Sequence, residues 1–185
     1  PLPSEIAAWF DARSWRVRRR QLEMLEKARA GRHALLVADT GAGKTLAGFL
    51  PTLAAFAPSQ LGEAGPPDGL HTLYVSPLKA LAHDVQRNLL TPIGEIGLDI
   101  KVETRSGDTP SDRKKRQRAR PPHVLLTTPE SLSLLLSYPE SVDLFAGLKR
   151  VVLDEVHAFA TGKRGDLLAL ALARLQALAP DMQRV

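Results

Sequence analysis

The sequence predicts an α/β domain: a mostly parallel sheet with helices on both faces. Three observations carry this. Strand-like runs at residues 34–38, 71–76, 99–104, 124–127 and 151–154 alternate with helical patterns, the order that builds parallel sheets from crossover units. The first run leads through a glycine-bearing turn into a helix at Lys44. The last ends in two adjacent acids, Asp154 and Glu155.

Taken in order, residues 4–10 begin a short helix with Ile6, Trp9 and Phe10 as its apolar side. A basic stretch around Trp15 follows. Residues 21–30 then read as a helix with Leu22, Leu25 and Ala28 on one stripe, closed by Gly31. Residues 34–38 are an unalternating apolar run, which predicts a strand buried on both faces. The helix from Lys44 extends to Phe56, with Pro51 expected to kink it or remove one hydrogen bond. Residues 58–69 hold three glycines and three prolines, the composition of a surface loop. Beyond them, strands at 71–76, 99–104, 124–127 and 151–154 alternate with helices at 78–90, 129–136 and 166–178. Residues 111–120 form a highly charged helix or loop, and Met182 to Val185 begin a further strand. The chain divides into a helical segment, 1–33, and a domain, 34–185.

Composition bounds the function. The chain has 185 residues, 44% hydrophobic and 24% charged, as in an ordinary globular domain. A net charge of +5 is compatible with nucleic acid but proves little alone. Without cysteine there is neither a disulfide framework nor a thiolate metal site. There is no apolar run of membrane-spanning length and no signal-peptide pattern, so the plain reading is cytoplasmic, with no membrane partner. The chain starts at Pro1 and stops as a strand begins, which reads as a piece of a longer polypeptide.

The turn before Lys44 points backbone N–H groups into one hollow, at the positive end of the following helix. Such a hollow suits a polyphosphate. Thr40, Gly41, Ala42 and Gly43 supply the backbone, Lys44 can reach the β- and γ-phosphates, and the Thr45 hydroxyl can ligate Mg²⁺. Ala38 stands where the usual pattern has its first glycine. Ligands of open α/β sheets sit beyond the carboxyl ends of the strands, so Asp154 and Glu155 are expected near this turn. Asp154 can hold Mg²⁺ with Thr45, and Glu155 can orient and deprotonate a water for attack on the γ-phosphate. Asn88 is the sole asparagine, which rules out the Asn-Lys-x-Asp guanine-reading motif and leaves adenine, hence ATP, as the expected nucleotide.

With Ala38-Asp39-Thr40-Gly41-Ala42-Gly43-Lys44-Thr45 and Asp154-Glu155-Val156-His157 placed, the chain resembles a superfamily-two DExH-box helicase. Four further segments sharpen the likeness to the Lhr (large helicase-related) family, in particular its bacterial ligase-associated DEXH-box DNA helicases. They are Ser76-Pro77-Leu78-Lys79-Ala80-Leu81, Thr104-Arg105-Ser106-Gly107-Asp108-Thr109, Thr127-Thr128-Pro129-Glu130-Ser131-Leu132 and Gly162-Lys163-Arg164-Gly165-Asp166. The resemblance implies a RecA-like P-loop NTPase domain, the first of two, with the arginine fingers on the second. It implies 3′-to-5′ movement on single-stranded DNA, in DNA repair. It matches Gln21 to the adenine-reading glutamine, with Trp15 helping to frame the base, and His157 to the histidine that couples the nucleotide site to the next motif. One departure is Asp39, where such helicases usually have proline; a carboxylate there would repel nucleotide.

The resemblance also implies a nucleic-acid surface made of Lys79, Gly107, Asp108, Thr109, Thr128, Pro129, Glu130 and Ser131, with Arg105, Lys163 and Arg164 as further candidates. Hydroxyls, backbone N–H groups and helix N-termini can hold phosphates without reading sequence. The basic run Arg113-Lys114-Lys115-Arg116 with Arg118 and Arg120 is either a solvated helix or a peripheral phosphate-tracking patch. Two alternatives stand beside the DNA motor: an RNA helicase of the same superfamily, and a nucleic-acid-binding module with a vestigial nucleotide site.

Overall fold

The computed structural model describes residues 1–38, 43–159 and 162–185. Five parallel strands form one sheet in the order β2-β3-β1-β4-β5. They are β1 (Thr72–Val75), β2 (Val102–Arg105), β3 (Val124–Thr127), β4 (Arg150–Leu153) and β5 (Gln183–Arg184). The helices are α1 (Ser4–Ala12), α2 (Arg19–Arg29), α3 (Lys44–Ala55), α4 (Pro58–Leu61), α5 (Lys79–Ile96), α6 (Ser111–Ala119), α7 (Pro129–Leu136), α8 (Ser141–Ala146) and α9 (Lys163–Leu178).

Alternate strand residues feed two separate cores, as the period of two requires. Tyr74, Val124, Leu126 and Val152 face a core filled by Ile6, Trp9 and Phe10 of α1, Leu25 of α2, Phe49 and Leu50 of α3, and Val85 and Leu89 of α5. Leu73, Val75, Leu125 and Val151 face the opposite core, filled by Leu132, Leu135, Leu144, Phe145, Leu168 and Leu175 of α7, α8 and α9. Strands buried on both sides explain why β1 and β3 read as continuous apolar runs. The segment 1–33 thus contributes to the same core as the sheet. α3 lies close on β4 because residue 48 is glycine: a Cβ there would stand 3.4 Å from Val152 Cγ1. The helix runs through buried Pro51 without ending.

Several expectations need correction. Residues 34–38 are not a strand buried on both faces. They carry no strand assignment, and Leu35 and Val37 are 79% and 86% exposed. The reason is position: the segment lies beyond β5, tied to it where Ala34 N–H donates to the Arg184 carbonyl (3.0 Å), with every second side chain turned outward. In α2 the inward residues are Gln21, Met24 and Leu25, while Leu22 is exposed. The 58–69 stretch starts with the short helix α4 rather than plain loop. Residues 111–119 are helical, and α5 runs on to Ile96 through Pro92. α8 was not expected.

Candidate nucleotide site and nucleic-acid surface

α3 begins where Gly43 adopts the left-handed conformation (φ +77°), which glycine enters without steric cost. Lys44 and Thr45 form its first turn, at the positive end of the helix dipole. Asp39, Thr40, Gly41 and Ala42 lie outside the described residues. Across the cleft, β4 ends at Leu153 and the chain turns sharply. Asp154 N–H donates to the Val75 carbonyl (3.0 Å), and Glu155 N–H donates to Asp154 Oδ1 (2.9 Å). Glu155 itself is left-handed (φ +52°), a conformation costing a non-glycine residue about 1 kcal/mol or more. That turn brings its carboxylate between two side chains: Lys44 Nζ lies 3.8 Å from Oε1, and His157 Nε2 lies 3.3 Å from Oε2. His157 is largely exposed in the 3₁₀ turn Val156–Ala158.

Tyr74 escaped the sequence reading. Its hydroxyl donates to Asp154 Oδ2 at 2.7 Å, and its ring stacks on Phe49 of α3 (centroids 5.6 Å, 29°). Burial, and then the hydrogen bond to Asp154, push the phenol far above its ordinary pKa, so it stays a donor. One buried side chain thereby links β1, α3 and the acid after β4. Nothing in the local sequence marks it, because its partner is eighty residues away.

Two clefts meet at Thr45. One, of about 570 Å³, holds Lys44, Asp154, Glu155 and His157. The other, of about 740 Å³, runs along Trp9, Trp15, Arg18, Gln21, Gly43, Asn88 and Thr91. Gln21 is buried at the third position of α2, where its Oε1 accepts from Arg18 N–H (2.9 Å) in a capping box. Its Nε2 points toward Gly43, within 3.5 Å of where a Cβ would stand. The oxygens of Thr45 and Asp154 are hard donors that suit Mg²⁺, and each Asp154 oxygen keeps a lone pair beyond the hydrogen bond it accepts.

The connections after β1, β2, β3 and β4 are stitched into one surface. Lys79 Nζ, at the start of α5, binds Asp108 Oδ2 at 2.6 Å. Lys114 Nζ donates to the Gly107 carbonyl (2.7 Å), and Thr109 Oγ1 accepts from Ser106 N–H (2.9 Å). Arg164 donates to both oxygens of Glu130 (2.6 and 3.3 Å) and to the Pro77 carbonyl (2.8 Å). The Lys79 hydrogen bond lowers the Asp108 pKa; at Glu130 burial raises it, and the hydrogen bonds from Arg164 and others outweigh that. Thr128, Pro129 and Ser131 are buried at the start of α7, and Lys163 is exposed. Arg105 does not belong to this surface. It is 2% exposed, and its guanidinium donates inward to the Lys114 carbonyl (3.0 Å) and Gln117 Oε1 (3.3 Å), because its place on β2 turns it under α6.

A parallel sheet with a lysine-bearing helix start facing two acids at the end of a neighbouring strand defines a RecA-like nucleotide-binding domain. Residues 18–185 match the DEAD/DEAH box helicase family, and the chain belongs to it. It is 38% identical over 195 residues to the ATP-dependent helicase Lhr-Core protein 2 of Thermococcus barophilus, across all of this chain and 22% of that protein. It is 46% identical over 168 residues to the Lhr helicase/probable uracil glycosylase of Mycolicibacterium smegmatis, across 84% of this chain and 11% of that one. Among solved structures, the Mycobacterium smegmatis helicase Lhr bound to ssDNA and AMP-PNP superposes with a TM-score of 0.87 at 38% identity, covering 99% of this chain and 24% of that one. The DUF1998 helicase MrfA bound to DNA and AMPPNP gives 0.82 at 28%, covering 99% and 26%. The chain therefore spans between 11% and 26% of these relatives' lengths. Among the described residues, no helix is long and apolar enough to cross a membrane.

Proposed function

We propose that the chain is the first motor domain of an ATP-dependent DNA helicase that moves 3′ to 5′ on single-stranded DNA and serves DNA repair. The observation that carries this is the convergence of Lys44, Glu155 and Asp154 at the start of α3 and the end of β4. Solved relatives carrying AMP-PNP with ssDNA or DNA support the same reading. Gly43 and the backbone before it cradle the phosphates, and Lys44 neutralises their charge. Thr45 and Asp154 would hold Mg²⁺, which would supply positive charge against the charge that develops on the phosphates during transfer. Glu155 orients the attacking water and takes its proton. Gln21 and Trp15 frame adenine, and His157 relays the state of the site. Lys79, residues 107–109 and 128–131, Lys163 and Arg164 form the track for the strand.

The arginine fingers come from a second RecA-like domain of the same polypeptide, a contribution of about 10³–10⁵ in rate in comparable enzymes. This chain alone is therefore expected to bind nucleotide and turn it over very slowly. The test measures binding of a fluorescent ATP analogue and phosphate release with oligo-dT or oligo-rU, for the chain and for Lys44→Ala. Nucleotide binding lost in Lys44→Ala, with strand affinity retained, supports the motor. Nucleotide binding absent from the unaltered chain overturns it in favour of a binding module. Stronger stimulation by RNA overturns the DNA assignment. Strand displacement on 3′-tailed against 5′-tailed duplexes, in a polypeptide carrying both motor domains, decides direction.

A further inference from the structure

We propose that α6 is a second phosphate-binding surface, which holds a single strand as it passes the edge strand β2, outside the track at the C-terminal ends of the strands. The inference rests on the proposal that the chain binds single-stranded nucleic acid.

The distribution of charge leads to it. Between Ser111 and Arg120 stand six cations and one acid, a net charge of +5. The whole chain has 25 cations and 20 acids, also +5, so nineteen of each remain elsewhere and cancel. This segment is one of two concentrations of positive charge, the other being residues 13–20 with five cations and no acid. A field concentrated in this way attracts polyanions, where the same charge scattered over the surface would not.

The helix is also held so that this charge stays outside. Its inner face is fastened by Arg105, through the Lys114 carbonyl and Gln117 Oε1, and by Gln117 Nε2, which donates to Glu103 Oε2 (2.9 Å) and the Thr104 carbonyl (3.1 Å). Three of the six cations are engaged within the fold. Lys114 bonds the Gly107 carbonyl, Arg116 pairs with Glu103 (2.7 Å), and Arg118 lies over the Tyr138 ring (4.1 Å), near Glu140 (3.9 Å). The other three, Arg113, Lys115 and Arg120, are exposed and have no acid partner among the described residues. Asp112 is the single acid on the helix.

Continuity supplies the direction. Lys114 ties the first turn of α6 to Gly107, in the turn already placed on the proposed track, so a strand on that track meets α6 next. With no exposed aromatic on α6 to stack a base, contact is to phosphate and indifferent to sequence. Three phosphates neutralised on a single strand correspond to a change of about 2 in the slope of log affinity against log salt.

The test is a salt series of fluorescence anisotropy with labelled oligo-dT, using the chain and the variant Arg113→Gln/Lys115→Gln/Arg120→Gln. A second variant, Arg32→Gln/Lys101→Gln/Arg174→Gln, removes the same charge from exposed positions elsewhere, and thermal melting checks both folds. The expected result is roughly tenfold weaker binding at low salt and a slope shallower by about 2 in the α6 variant only. Equal losses in both triple variants, or an unchanged slope in a folded α6 variant, overturn the proposal. A loss seen with duplex and not with single strand overturns the single-strand assignment. An unaltered chain that binds no strand is a different failure: it removes the proposed function itself.

Discussion

Tyr74→Phe removes one oxygen and keeps the ring that stacks on Phe49. What it loses is the 2.7 Å hydrogen bond to Asp154 Oδ2, leaving the Glu155 N–H as the remaining hydrogen-bond donor to that carboxylate among the described residues. Partners that orient a metal-binding carboxylate typically matter about tenfold or more in metal affinity. If Asp154 holds Mg²⁺, the variant should bind nucleotide about tenfold more weakly with Mg²⁺ present and equally well with Mg²⁺ chelated. Losses of the same size in both conditions would mean that Tyr74 acts only through packing. A second residue acts on stability. His71 is mostly buried, edge-on to Phe56, with Nδ1 2.8 Å from Thr72 Oγ1. Burial first, then Arg150, Lys149 and His123, push its pKa down to about 4, from an ordinary value near 6.5. Burial lowers His123 as well. Between those two values the unfolded chain binds a proton that the folded chain refuses. His71 therefore stabilises the fold fully above pH 6.5, and its share is lost as pH falls toward 4, by about 3 kcal/mol. Urea unfolding at pH 7 and pH 5 should show the drop, and His71→Asn should flatten it. Equal pH dependence in both proteins would rule His71 out as its source.

Among the elements, those legible in the sequence have their determinants within the element. α7 begins at Pro129, β3 spans the run expected, and α3 and α9 show apolar spacing over several turns. The misreadings share a cause: the deciding partner lies elsewhere in the chain. An apolar run such as 34–38 does not say whether it will be flanked by two strands or by β5 alone. α6 has almost no apolar face, because its inner side is Gln117 against Arg105 of β2, so no helical period announced it. α8, six residues from Ser141 to Ala146, is too short to show a period at all. Gly165, in the first turn of α9, is a further case. The expected helix began after it, at Asp166, yet it lies inside α9, where a Cβ would collide with the Phe159 carbonyl, so only glycine lets α9 start under that turn.

At the scale of the molecule, the sequence foretold the meeting of Lys44, Asp154 and Glu155 more fully than the pairing of the surface charges. Lys44, Asp154 and Glu155 were legible because motif and strand order place them at the same edge of the sheet. The partners of Lys79 and Arg164 were not, since pairing between separate βα connections depends on how the whole sheet is ordered. Those partners matter for the proposed track. Asp108 and Glu130 neutralise the two cations that stitch it together, and both pairs are largely exposed. Exposed ion pairs are worth little in stability, so exchanging a carboxylate for a phosphate costs little. The double variant Asp108→Asn/Glu130→Gln should therefore fold normally, bind oligo-dT several-fold more tightly at low salt, and show a salt slope steeper by about 1. The gain should vanish near 0.5 M salt, where screening removes the attraction between Lys79, Arg164 and the strand. Weaker binding would mean that the two carboxylates hold the track in shape rather than mask its charge, and an unchanged slope would place the strand away from Lys79 and Arg164 altogether.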